Sequence, residues 1–259
     1  MSKEDLEQRM RAGEFFHALR APPGTFIVVR VDGRSFSRLT ERLAEKPFDP
    51  AFHGRMVEAA KALLTSLQAL YVYTESDEIS ALLPRGAALF DRQVEKLVSV
   101  SAARAASPFS LSCGDTVEFD ARVWLGGREE DVVDYFRWRQ SDATRCALNG
   151  WCYWTLRREG RSAREATRAL DGATVAQKNE ILHARGINFN DVPAWQRRGT
   201  GVFWERYAKE GLDPRRNVRV SAERRRAAVD EALPMKDAYS AYVRRLLDQS
   251  ATLTRGQSA

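Results

Sequence analysis

The stretch FIVVRVDGRSFSRLT, Phe26–Thr40, constrains the fold more tightly than any other part of the chain. Its β-branched run is too short for an independent helix and reads as a buried strand that an Asp-Gly pair ends. A second stretch, LYVYTESDEISALLP (Leu70–Pro84), reads as two strands joined by a tight polar turn, with Pro84 stopping the second. Between these stretches, Asp49-Pro50 opens a helix through Leu67 that carries Phe52, Met56, Ala59, Ala60, Leu63 and Leu67 on one face. A further helix over LFDRQVEKLVSVSAARAAS and a strand over Thr116–Gly126 complete the order strand, helix, strand, strand, helix, strand.

That order is the ferredoxin-like split unit, an α+β fold with an antiparallel sheet and helices on one face. In it the opening strand lies against the hairpin of the second and third strands. Asp32 and Asp77 become neighbours although 77 − 32 = 45 positions separate them. Residues 1–128 are therefore expected to form a palm-like catalytic domain with an amphipathic N-terminal helix ended by RAPPG. Residues 129–259 are expected to be mostly helical and to form one globule with the first part. A Ser162–Glu165 capping box marks one helix start there. A charged helix is expected through Leu247, with frayed residues from Gln249. The Arg-rich RRNVRVSAERRR reads either as a nucleic-acid grip or as a solvated helix face.

Composition narrows the function classes. The 259 residues are 44% hydrophobic and 29% charged, enough for a real core and too charged for a membrane protein. No stretch approaches the roughly 18 apolar residues of a membrane span. The charged N-terminus is no secretory signal, so a cytoplasmic protein is expected. Three cysteines form no CxxC pair, and three histidines form no zinc-ligand pattern. The net charge of +6 suits a polyanionic partner, or else reflects a genome that prefers Arg codons.

Two carboxylates at adjacent strand ends repel each other, and a divalent cation is the usual compensation. Magnesium takes one or two carboxylates together with phosphates and water. Glycine at Gly33 allows a carbonyl or a phosphate to approach the backbone closely. The amides of Arg34, Ser35 and Phe36 open a short helix suited to cradling a triphosphate. Two metals about 4 Å apart would serve an in-line phosphoryl displacement. Alone, an Asp-Gly turn or a Ser-Asp-Glu hairpin tip is an ordinary solvated feature. Together on the split unit they point to a metal-dependent nucleotidyl site, as in the palms of polymerases and nucleotide cyclases.

Seven blocks make the reading more specific: VVRVDGRSF, KPFD, ESDEIS, DYFRWRQSD, QKNEIL, INFND and RRGTG. In this order they resemble the tRNA-histidine guanylyltransferase family, in its guanylyltransferase-like, 3′–5′ polymerase branch, over roughly Phe26 to Val202. The resemblance implies nucleotide addition to the 5′ end of tRNA at the acceptor stem, with ATP, GTP or other nucleoside triphosphates as substrates and two Mg2+ ions. It also implies a homotetramer built as a dimer of dimers. Transferred residue by residue, it places the metals on Asp32, the Gly33 carbonyl and Asp77, with Glu78 as a supporting acid. It lays the nucleotide on Gly33, Arg34, Ser35, Phe36, Ser37 and Ser76, with Lys46 reaching a phosphate. Lys178, Asn179, Asn188 and Arg198 match blocks that line the same region. Arg139 reads equally as a site residue or a salt-bridged helix residue; Trp138, Trp151, Trp154 and Trp195 are candidates for stacking on bases, with Trp151 and Trp154, which share a helix face, expected in the core instead.

One departure bears on activity. Where the eukaryotic enzymes carry a His-Ile-Asn-Asn tetrad tied to guanylation of histidine tRNA, this chain has Thr144, Arg145, Cys146 and Ala147. That favours template-directed repair of 5′-truncated tRNA over addition of the extra guanosine. Two competing readings are a nucleotide cyclase-like palm enzyme and a catalytically silent RNA-binding protein.

Overall fold

The computed structural model describes residues 3–213 and 218–256. After the exposed helix α1 (Lys3–Ala12) the expected unit follows: β1 (Phe26–Gly33), α2 (Phe36–Leu43), α3 (Pro50–Ser66), β2 (Tyr71–Glu75), β3 (Glu78–Leu82), α4 (Val94–Cys113) and β4 (Phe119–Gly126). The second half carries α5 (Glu129–Arg158), α6 (Ala163–Leu170), α7 (Val175–His183), α8 (Ala194–Arg198), a ribbon of β5 (Thr200–Asp213) and β6 (Val218–Asp230), and α9 (Lys236–Gly256). Local signals place the starts. Asp49 accepts the Phe52 amide at 2.7 Å with proline at the first helical position of α3, and Ser162 and Glu165 form the expected capping box of α6.

The sheet order is β4-β1-β3-β2-β5-β6, antiparallel at every pairing. Its first four strands are the split unit. Two features depart from the sequence expectation. The Arg-rich stretch is no helix face: from Val218 it is β6, paired with β5 along its length, while Arg215–Asn217 lie outside the described residues. Its Ala, Glu and Arg content favours a helix locally, and cross-strand pairing overrides that weak preference.

Helices also cover both faces of the sheet rather than one. Ile27, Val29 and Val31 of β1 point to a core shared with Leu63 and Leu64 of α3 and Phe109 of α4. The alternate residues Phe26 and Val28, with Tyr71, Tyr73 and Leu82, pack against Val133 and Phe136 of α5 and Tyr239 and Val243 of α9. A strand covered on both faces needs apolar residues at every position, which explains the unbroken run in β1. Three tyrosine hydroxyls of this second core are bonded: Tyr71 and Tyr239 meet at 3.0 Å, and Tyr73 donates to the Arg198 carbonyl at 3.0 Å. A third cluster joins the C-terminal half of α5 to α6 and α7 through Leu156, Leu170 and Leu182. Helix α9 runs on past Leu247 to Gly256, where fraying from Gln249 was expected.

Candidate active site

The sheet brings Asp32 and Asp77 together. Asp32 lies opposite Glu78 of β3 and opposite Asp120 of β4, and the Gly33 amide donates to the Asp77 carbonyl at 3.0 Å. Burial raises the Asp77 carboxyl above its ordinary range, and the nearby Asp32 raises it further; Ser76 and Lys46 pull the other way. Asp32 is raised by burial and then by Asp120, against the guanidiniums of Arg122, Arg30 and Arg139. Asp120 escaped the motif search, yet the period-two alternation of β4 was the signal that would have found it. Half-buried carboxylates in mutual repulsion, beside the Gly33 carbonyl, are the hard-oxygen donors a divalent cation takes. Among the described residues no three His, Cys, Asp or Glu side chains converge as a metal cage, so any cation would complete its shell from phosphate and water.

A buried clamp holds the turn that presents Asp77. Glu75 and Glu78 pair across the hairpin, with Ser76 and Asp77 between them and Ser76 in the left-handed region at φ 47°. From α5, Arg139 Nε donates to Glu78 at 2.7 Å, and its Nη2 donates to Glu78 at 2.8 Å and to Glu75 at 3.0 Å. Asp142 accepts from the same nitrogen at 3.2 Å, and Arg30 stands 3.6 Å from Glu78. Three carboxylates thus share one buried guanidinium. Glu75, pressed by burial and by Glu78, is pushed up to about 8. Glu78 commits both oxygens to Arg139, so the structure makes it an anchor beneath the turn, and Arg139 is the partner that fixes it.

The stretch from Gly33 to Ser37 serves the site through its backbone. A Cβ at position 33 would fall inside the ring of Phe36, which is why the strand ends in glycine. Phe36 itself is core, packed against Phe52, Phe109 and Phe119. The Arg34 amide already donates to the Glu118 carbonyl at 2.9 Å, and its guanidinium pairs with the Glu118 carboxylate at 2.8 Å. Arg34 is therefore withdrawn from the expected cradle. The amides of Ser35, Phe36 and Ser37 precede the first bonds of α2, which run from Arg38 and Leu39 to the Ser35 carbonyl. These three retain the geometry of an anion-accepting helix start.

Beside this lies a cavity of about 220 Å³ with Lys46, Ser76 and Asp49 among its polar walls and Ala143, Ala147 and Trp195 among its apolar ones. Lys46 donates to Thr40 at 2.6 Å, and burial lowers its ammonium against the pull of Glu41 and Asp77. Trp195 stacks on His53 with centroids 4.2 Å apart, and His53 meets Glu231 at 3.0 Å. Sequence reasoning missed His53 and gave Trp195 no firm place. The other expected residues do not line this cavity. Asn179 donates to the Val175 carbonyl at 2.8 Å, Asn188 caps its own turn by accepting from the Asn190 amide at 3.1 Å, and Arg198 donates to the Leu233 carbonyl at 3.0 Å. Lys178 stands on α7, its carbonyl accepting from Cys152.

Comparison with known proteins identifies the family. Residues 7–132 match the family model for tRNAHis guanylyltransferase, and residues 130–239 match the model for the Thg1 C-terminal domain. The tRNA(His) guanylyltransferase of Debaryomyces hansenii is 33% identical over 81% of this chain and 86% of its own length. The chain belongs to the tRNA-histidine guanylyltransferase family. It is thereby a tRNA nucleotidyltransferase, an enzyme. Arabidopsis thaliana tRNA(His) guanylyltransferase 2 is likewise 33% identical, over 71% of this chain but only 36% of that protein. Among solved structures, a bacterial Thg1-like protein in complex with ATP shares 27% identity at TM-score 0.72, covering 93% of this chain and 99% of that one. The Saccharomyces cerevisiae guanylyltransferase shares 25% at TM-score 0.66, over 73% and 90%. No helix of the described residues is long and apolar enough to cross a membrane.

Proposed function

We propose that this enzyme adds nucleotides in the 3′–5′ direction to the 5′ end of tRNA, directed by the opposite strand of the acceptor stem, and so repairs 5′-truncated tRNA. The observation that carries this reading is the convergence of Asp32, Asp77 and the start of α2 at one sheet end, in a chain of this family. At the place of the His-Ile-Asn-Asn tetrad stand Thr144–Ala147. Thr144 donates to the carbonyls of Gln140 and Arg197, and Cys146 and Ala147 line the cavity. Arg145 is paired with Asp142, and the short Thr144, Cys146 and Ala147 offer no group that selects one base, which supports selection by pairing with the template.

In the proposed sequence the 5′-monophosphate of the RNA first attacks the α-phosphate of ATP, releasing pyrophosphate and leaving an adenylylated end. The 3′-hydroxyl of an incoming nucleoside triphosphate then attacks that 5′ phosphorus, and AMP departs. Lys46 places a point charge on the triphosphate, and the amides of Ser35, Phe36 and Ser37 donate to its oxygens. Asp32, Asp77 and the Gly33 carbonyl would hold Mg2+, which when bound supplies Lewis-acid stabilisation of the attacking and leaving oxygens. The ATP- and GTP-bound solved relatives support nucleoside triphosphates as substrates here. A cytoplasmic tetramer is part of the same proposal and rests on family likeness.

The test incubates the protein with Mg2+, ATP, all four nucleoside triphosphates and a labelled tRNA lacking its first 5′ nucleotide. Extension that follows the template base is the expected result. Consumption of nucleotide without extension, and without any need for RNA, would move the assignment to a cyclase-like enzyme.

A further inference from the structure

Next to the carboxylates stands an indole that the core does not use. Trp138 of α5 is 53% exposed, whereas Trp124 packs on Tyr135 at 4.8 Å and Trp204 donates to the Ala69 carbonyl at 3.1 Å. Two guanidiniums lie against the Trp138 ring, that of Arg139 at 4.6 Å and that of Arg30 at 5.7 Å from its centroid. Their side chains are only 7% and 17% exposed, so Trp138 is the solvent-exposed member of this cluster. The edge of Tyr135 braces the ring at 5.8 Å. The result is an exposed indole held among two guanidiniums and a tyrosine ring.

Its position relates it to the chemistry. Arg30 is two residues before Asp32 on the same face of β1, and Arg139 holds Glu78, the residue opposite Asp32. Across the strand from Arg30 lies Arg122, whose side chain is 55% exposed and pairs with Asp120 at 3.0 Å. The Arg30 Nε is buried and has no hydrogen-bond partner. The proposed nucleotide cavity takes in Ser76 of the turn and reaches α5 at Ala143 and Cys146. At 1.5 Å per residue those positions are roughly 8 and 12 Å from Trp138 along the helix axis.

We propose that Trp138, flanked by Arg30 and Arg122, is the platform on which the 5′-terminal base of the RNA stacks, with its phosphate drawn to the guanidiniums. The proposal rests on the nucleotidyl-transfer reading above and names the part of the enzyme that seats the acceptor. Stacking tolerates any base because every base has a π face, which suits an enzyme whose choice of nucleotide comes from the template. An incoming nucleotide in the cavity and an RNA end on Trp138 would then flank Asp77 from two sides, as the two partners of a transfer must. Arg122, more than half exposed beside the buried Arg30, is the guanidinium that a phosphate at this position would meet.

The experiment uses the full chain and a short acceptor-stem hairpin with 2-aminopurine as its 5′-terminal base, without nucleoside triphosphate. Wild type is expected to quench the 2-aminopurine emission on binding. Trp138→Ala loses most of that quench and binds about tenfold more weakly, the loss that removal of one stacked base predicts, while Trp138→Phe retains most of both. Equal quenching by Trp138→Ala and wild type overturns the platform, as does RNA bound by wild type, seen by anisotropy, without quenching. Templated extension by wild type alongside either outcome sinks the platform alone. Failure of wild type both to extend and to bind RNA sinks the parent reading and the platform with it.

Discussion

Two residues at the end of β1 bear opposite kinds of constraint. Asp32 and its neighbour Asp77 are poor for the fold and good for a cation, since burial and repulsion raise both carboxyls above their ordinary range. Asp77→Asn is therefore expected to leave the melting temperature in EDTA unchanged or higher, while templated extension falls by at least about a hundredfold, on the order of losing one key electrostatic group. A variant that melts early and still extends would contradict both halves. Gly33 is the reverse case, a residue whose side chain would strike a ring held by Phe52, Phe109 and Phe119. Gly33→Ala should lower stability to urea by about 1–3 kcal/mol, the usual cost of overpacking a trapped core group. From sequence alone, Gly33 reads as room for a carbonyl or a phosphate to approach the backbone. The packing of Phe36 is a sufficient reason, and it was not readable because nothing local says where that ring turns.

At the scale of elements, the β2–β3 hairpin and α5 act as one device. Burial and Glu78 raise Glu75 to about 8 from an ordinary value of 4.5. The folded state thus favours its neutral form, so the stability it contributes is complete below pH 4.5 and is lost as pH rises through about 8. Glu75→Gln cannot ionise, and its melting temperature should change less between pH 5 and 8.5 than that of wild type. Parallel melting series would show it, and identical slopes would remove Glu75 from the account. Much of this hairpin was legible: the alternation in Tyr71–Glu75 and Glu78–Leu82 and the polar turn between them are local signals. The order of the first four strands, and with it the meeting of Asp32 and Asp77, followed from those signals. The clamp was not legible, because Arg139 is 61 and 64 positions from its two partners and only tertiary packing joins them. Strand β6 was hidden for a related reason. Its residues prefer a helix, and only β5 makes them a strand.

Across the whole molecule the palm is tightly built and the ribbon is loosely attached. Only Thr200–Phe203 of β5 pair with β2, and beyond Trp204 and Ala227 the two strands mainly contact each other. Replacing residues 206–225 with a two-residue turn should shift the melting temperature by no more than a few degrees, since the buried Val202 and the half-buried Phe203, Trp204 and Ala227 all remain; a collapse of the transition would show that the ribbon supports the core. The same ribbon leaves β6 at the margin of the sheet, with a row of main-chain amides and carbonyls that no further strand covers among the described residues. Such a margin is a template on which another molecule can add a strand, and then another. Along Arg219–Arg226 four arginines stand against one glutamate, a local charge of 4 − 1 = +3. Two copies approaching edge to edge would bring these like charges together at strand spacing. The arginines of β6 thus oppose fibril growth from this margin of the sheet.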